Sequence, residues 1–121
     1  MTSQSHAPQT PVRVLDRTDL SPTESGFQFQ GQQVDASVSV IVIDILPGEG
    51  PKLHRHPYEE VFVVLEGRAT YTAGESVVEV GSGQVVVVPG GVPHAFINSG
   101  TGRLLQVDIH PSDHFVTEWL E

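Results

Sequence analysis

The chain contains no cysteine, which excludes a disulfide framework, a thiolate metal site and a cysteine nucleophile. Basic residues are scarce: six Lys+Arg stand against fifteen Asp+Glu, a net charge of −9, and the basic residues form no cluster. A nucleic-acid backbone or an anionic membrane surface would be repelled overall, which leaves a small molecule as the expected partner. No apolar run approaches the roughly 20 residues of a membrane span; the longest are segments such as Val85 to Val88. The first residues lack the basic start and apolar stretch of a secretory signal. Together with the missing cysteine, this leads us to expect a soluble, cytoplasmic protein.

What is present is a β pattern. The 121 residues suit one domain and suffice for a real core. Residues 1–11 are polar, hold two prolines and read as a flexible tail, with His6 solvated in it. Residues 12–121 read as a single domain. Residues 12–15 are a short strand candidate, and residues 18–25, rich in turn formers, read as loop. Strands are expected within 34–46 and over 60–66, 69–73, 77–80, 85–88, 95–97 and 104–109, separated by turns such as Pro47-Gly48, Ala73-Gly74 and Pro89-Gly90-Gly91. Short strands at such spacing indicate an all-β sandwich or barrel. Residues 115–120 suit either a helical turn or a terminal strand. Val61-Phe62-Val63-Val64-Leu65 is apolar on both faces, so one face lines the interior and the other calls for a second sheet or a second subunit.

Several polar residues interrupt this pattern at the ends of apolar strands. Strand side chains alternate faces. If residues 54–64 are extended, His54, His56, Tyr58 and Glu60 therefore share the face on which Phe62 and Val64 enter the core. Two imidazoles and a carboxylate buried together are costly unless paired or bound to a cation, and all are good ligands for divalent Fe, Mn, Ni, Co or Zn. Downstream, His94, Phe96 and Asn98 share one face after a run of valines, and a strand returning beside the first could bring His94 to the same centre. An isolated His-x-His pair or Glu-Glu pair is usually a solvated surface feature. The combination carries more weight because every member sits at the inner end of an apolar strand.

These residues give the chain a resemblance to the cupins. The first cupin motif, G-x5-H-x-H-x3-4-E-x6-G, runs from Gly48 through His54, His56 and Glu60 to Gly67. The second, G-x5-P-x-G-x2-H-x3-N, runs from Gly83 through Pro89, Gly91 and His94 to Asn98. The motifs thus span residues 48–67 and 83–98, and fifteen residues separate them. The resemblance implies a single-domain jelly-roll β-barrel open at one end, commonly a homodimer. It also implies that His54, His56, Glu60 and His94 bind one divalent metal inside the barrel. Four protein ligands on an octahedral ion would leave positions for substrate or dioxygen.

The fold does not name the reaction, since cupins include dioxygenases, decarboxylases, isomerases, lyases and ligand-binding modules. Our expectation is a metal-dependent enzyme, oxygenase-like, acting on a small uncharged or aromatic molecule. The alternatives are a non-catalytic ligand-binding or accessory cupin and a metal-assisted isomerase or lyase. Glu60 and Tyr58 are the candidate catalytic residues, and Phe96 and Gln106 the candidate substrate-pocket residues. In the last strand the apolar set Leu105, Val107 and Ile109 is expected to face the core, with Gln106 and Asp108 outward. That leaves an apolar pocket without a cation, unsuited to a dianion such as oxalate. His110 and His114 are expected to be exposed.

Overall fold

Stretches dense in valine and isoleucine favour an extended backbone, and glycine- and proline-bearing turns cut them into lengths a barrel can use. The computed structural model of the protein describes residues 12–121, so the tail reading for residues 1–11, His6 included, lies outside the described residues. The strands are β1 (Ser21–Thr23), β2 (Gly26–Phe29), β3 (Ser39–Ile45), β4 (His54–Arg55), β5 (Glu60–Glu66), β6 (Arg68–Ala73), β7 (Ser76–Gly81), β8 (Val85–Val88), β9 (His94–Asn98), β10 (Leu104–His110) and β11 (Glu118–Trp119). They form two antiparallel sheets, one ordered β1-β2-β3-β10-β5-β8 and the other β11-β4-β9-β6-β7. This is the expected all-β jelly roll. No helix among the described residues is long and apolar enough to cross a membrane.

The inner faces of the two sheets meet in a core of Ile43, Ile45, Phe62, Val64, Ala69, Tyr71, Val80, Val88, Phe96 and Leu104. Phe62 lies edge-on to Tyr71 and Phe96, with ring centroids 5.1 and 6.0 Å away. Gly67 turns the chain from β5 into β6 at φ +94°, and a Cβ there would sit 2.3 Å from the Arg103 carbonyl oxygen, so only glycine fits. Asn98 ties the sheets together: its amide nitrogen donates to Ile45 O at 3.1 Å and Gly102 O at 2.9 Å, and its oxygen accepts from Gly100 N at 3.0 Å. Two residues shared with the motifs therefore serve the backbone rather than any ligand.

Three local expectations need correction. Residues 12–15 form no strand. The loop expected over 18–25 contains the end of a 3-10 turn (Arg17–Asp19) and β1. The extended run supposed over 54–64 is broken into β4 and β5 in facing sheets, whereas the strand expected within 34–46 is β3 from Ser39. A 3-10 turn (Gly31–Val34) precedes it, ended by Asp35 in the left-handed region at φ 58°, a conformation an Asp tolerates better than most residues. Residues 115–120 resolve as a strand end, β11, paired with β4 through Glu118–Arg55 and Trp119–His54.

The larger correction concerns β10. Leu104, Gln106, Asp108 and His110 face inward and are buried, while Leu105, Val107 and Ile109 lie half-buried on the other face. The expectation that Gln106 and Asp108 point outward and that His110 is exposed is therefore overturned. The register explains it, since β10 lies between β3 and β5 with Gln106 opposite Ile43 and Val64. The inward polar groups find partners there. Tyr71 Oη donates to Gln106 Oε1 at 2.7 Å, and Gln106 Nε2 donates to Asp108 Oδ1 at 2.8 Å. A polar set with internal partners removes the penalty on which the apolar-inward rule depends. His114 is exposed, as expected.

Candidate metal centre

Four side chains converge at the open end of the barrel. His54 on β4 stands directly opposite His94 on β9, so strand pairing alone brings the two motifs together. His56 follows in the connection to β5, and Glu60 opens β5 in the facing sheet. One ligand atom from each of His54, His56, Glu60 and His94 can be chosen so that all lie within 4.8 Å of one another. All four are buried, with 7, 4, 3 and 2% of their surface exposed respectively.

The imidazoles are oriented from behind. His54 Nδ1 lies 2.8 Å from Lys52 O, His56 Nδ1 2.9 Å from Val116 O, and His94 Nδ1 2.9 Å from Val92 O. A backbone carbonyl only accepts, so each Nδ1 carries the proton and donates it. In a neutral ring, each Nε2 then offers a lone pair inward. His56 Nε2 and His94 Nε2 lie 3.0 and 3.1 Å from the same oxygen, Glu60 Oε1. Lone pairs facing a carboxylate oxygen at that distance repel unless a proton or a cation lies between them. The Nε2 atoms of His56 and His110, though each 3.0 Å from a Glu60 oxygen, make no aligned hydrogen bond and are buried. The unpaired, buried His56 Nε2, with His94 Nε2 beside the same Glu60 oxygen, fits a divalent cation.

The ionisation tendencies reflect the same competition. Burial opposes the Glu60 charge, but His110, His56 and His94 outweigh it and hold the carboxyl well below the usual range. For His56, burial disfavours the imidazolium, yet Glu60 and the Val116 carbonyl prevail and raise its pKa. His54 goes the other way: burial lowers it, and the neighbouring His94 and His56 add to that against the Lys52 carbonyl. A cation binding here would displace the proton that His56 otherwise attracts.

Beside this cluster lies a cavity of about 270 Å³, walled by Ile41, Ile43, Ile45, Phe96, Phe115 and Trp119, with His54, His56, Glu60, Asp108 and His110 also on its lining. No Lys or Arg among the described residues lines it. Asp108 is held above the usual carboxyl range, first by burial and then by the Glu60 charge. Phe96 thus lines the cavity, whereas Gln106 sits behind it and holds Asp108. Tyr58 does not line it either. Its ring stacks on His56 at 5.2 Å, and its hydroxyl lies 2.7 Å from His110 Nδ1.

Sequence reasoning missed His110, Asp108 and the C-terminal wall. The ring of Trp119 lies 4.9 Å from that of His54, and Val116 supplies the carbonyl that orients His56. The available signal for β10 was parity: His110 continues the Leu104, Gln106, Asp108 set. Nothing local in the sequence indicates that residues 115–119 fold back over the cavity.

The chain belongs to the cupin domain family, whose model matches residues 41–110. It is similar to a gentisate 1,2-dioxygenase of Ralstonia sp, 26% identical over 83% of this chain and 28% of that protein. A shorter match, 46% identical over 34% of this chain and 39% of the other, is to an uncharacterized protein of Streptomyces coelicolor. Among solved structures, it resembles oxalate decarboxylase from Bacillus subtilis at pH 4.6, with a TM-score of 0.76 and 23% identity over 85% of this chain and 30% of that one. The formate complex of the Lactobacillus farciminis oxalate decarboxylase gives a TM-score of 0.75 and 24% identity over 85% and 34%. The chain thus spans about a third of each of these proteins' lengths, and the structural likeness bears on the fold.

Proposed function

We propose that this chain is a metal-dependent enzyme of the oxygenase type that acts on a small uncharged or aromatic molecule. The observation that carries the reading is the set of three imidazoles, each with its Nδ1 proton committed to a carbonyl, gathered with one carboxylate so that their ligand atoms lie within 4.8 Å of one another beside an apolar cavity. A divalent ion of Fe, Mn, Ni, Co or Zn held by His54, His56, Glu60 and His94 supplies Lewis acidity and open positions for substrate or dioxygen. The protein orients the ligands, excludes bulk water and holds the substrate against Phe96 and the isoleucine wall. Glu60 serves as ligand and proton acceptor, Tyr58 acts on it through His110, and Gln106 fixes the pocket carboxyl of Asp108.

The ground for an uncharged substrate differs from that offered by the sequence, because Asp108 faces inward. A cavity with two carboxyl groups and no cation from Lys or Arg disfavours a dianion such as oxalate still more firmly. The dioxygenase relative supports oxygen chemistry over decarboxylation. The lack of cysteine supports a cytoplasmic setting. The outer face of the six-stranded sheet carries half-buried Val61, Val63, Val107 and Ile109, with Leu65, Val85 and Val87 more than half exposed. This supports a homodimer that covers that face, and sedimentation at the mass of a single chain would refute it.

The enzymatic test is anaerobic loading with Fe(II) or Mn(II) followed by oxygen-uptake screening against neutral and aromatic compounds. Uptake with one compound class, lost in His94→Ala, is the expected result. Failure to bind metal at neutral pH would overturn the whole reading. Metal binding without oxygen uptake would replace it with an isomerase, a lyase or a ligand-binding cupin.

A further inference from the structure

Glu60 has two oxygens, and the structure treats them differently. Oε1 faces His56 Nε2 and His94 Nε2, whereas Oε2 lies 3.0 Å from Nε2 of a fourth histidine, His110. His110 is 2% exposed and stands at the end of β10, one step beyond the Ile109–Val61 pair that joins β10 to β5. Its surroundings differ from those of the other three rings in one respect. Its Nδ1 faces no carbonyl. It faces the Tyr58 hydroxyl at 2.7 Å, and that oxygen in turn accepts from the Val116 N–H at 3.2 Å.

A hydroxyl can donate where a carbonyl cannot. With the Tyr58 O–H donating to Nδ1, the proton of neutral His110 sits on Nε2, the atom 3.0 Å from Glu60 Oε2. The ligand histidines hold the opposite tautomer, with Nε2 bare. One ring type is thus set to two roles by the atom behind it, three rings as lone-pair donors to a cation and one as a proton donor to the carboxylate. We propose that His110, held by Tyr58, is a positioning residue that pins Glu60 Oε2 and leaves Oε1 alone to serve the metal. The Nε2–Oε2 distance is 3.0 Å without hydrogen-bond alignment as the chain stands, and on this proposal the carboxylate completes that bond when a metal takes Oε1.

This inference rests on the metal-centre reading, and the experiment separates the two. Mn(II) affinity and the visible absorption of the Co(II)-loaded protein are measured for wild type, His110→Ala, His110→Gln, Tyr58→Phe and, as a ligand control, Glu60→Ala. His110→Ala should weaken Mn(II) binding about 10- to 100-fold, the usual effect of losing an outer-shell partner, and should shift the Co(II) bands. His110→Gln, whose amide N–H can reach the same oxygen, should restore most of the affinity and the wild-type bands. Tyr58→Phe should produce a smaller loss in the same direction, since it frees the His110 tautomer. If His110→Ala does not fold, Tyr58→Phe decides. Wild-type affinity and bands in the variant that decides would overturn the inference alone, as would failure of His110→Gln to improve on a folded His110→Ala. A wild-type protein that binds neither ion would overturn the metal centre and the inference together.

Discussion

At one end of the barrel interior, Phe62, Val64, Tyr71 and Leu104 are packed to 1% exposure or less, and the Tyr71 hydroxyl there is satisfied by Gln106. At the other end, His54, His56, Glu60, His94 and His110 are buried almost as deeply but leave two ring nitrogens without an aligned partner. Phe62 marks the boundary, edge-on both to Tyr71 and, at 5.9 Å, to His94. The apolar end is complete as it stands and contributes stability through area removed from water. The polar end gathers a ligand set that could hold a cation. One interior therefore divides into a part that holds the fold and a part that the fold holds ready.

Substitutions can break or sharpen that division. The largest effect is expected from Phe62→Ala, which leaves a cavity in the packed end and should destabilise the metal-free protein by about 3–5 kcal/mol. A loss below about 1 kcal/mol in urea unfolding would show that the apolar end does not carry the fold. Next comes the metal itself. At a hundredfold excess over its dissociation constant, Mn(II) should raise stability by about 2.7 kcal/mol, reversed by chelator and absent in His94→Ala, as thermal unfolding with and without EDTA can measure. An equal gain in His94→Ala would place the ion elsewhere.

The smallest effect concerns Asp108, which belongs to the polar end yet is held by the Tyr71–Gln106 network of the other. Its native pKa is raised by burial and by Glu60. Between the ordinary carboxyl value and that raised value, the native state keeps a proton that the unfolded chain releases, so stability falls as pH rises. Asp108→Asn retains an oxygen for Gln106 Nε2 and removes this loss. The melting temperature of the metal-free variant relative to wild type should therefore climb as pH rises from 4 towards neutrality. A difference that is flat with pH would mean that Asp108 ionises freely in the folded protein.

Much of this architecture was legible from residue order. Strand alternation singled out His54, His56 and Glu60 as one group, although the strand breaks between β4 and β5 and they meet from facing sheets, and the resemblance brought in His94, which strand pairing sets opposite His54. The β10 assignment failed for an identifiable reason. Alternation says that Leu105, Val107 and Ile109 oppose Gln106 and Asp108, but hydrophobicity chooses the inner set only where the interior is apolar. Here Tyr71 and Glu60, far apart in sequence, make the interior hospitable to Gln106, Asp108 and His110. The segment 115–119 was similarly opaque, because its role depends on β4 and on ring nitrogens that only the fold brings near.

The sequence by itself determined the strand periodicity, the turns and the set of groups able to hold a cation, because these depend on neighbours a few residues away. The tertiary structure alone decided which face of β10 turns inward, which atom stands behind each histidine and which Glu60 oxygen each ring faces. Those choices depend on partners supplied across the barrel, and a hydrogen bond is sensitive to distances that no local pattern of residues encodes.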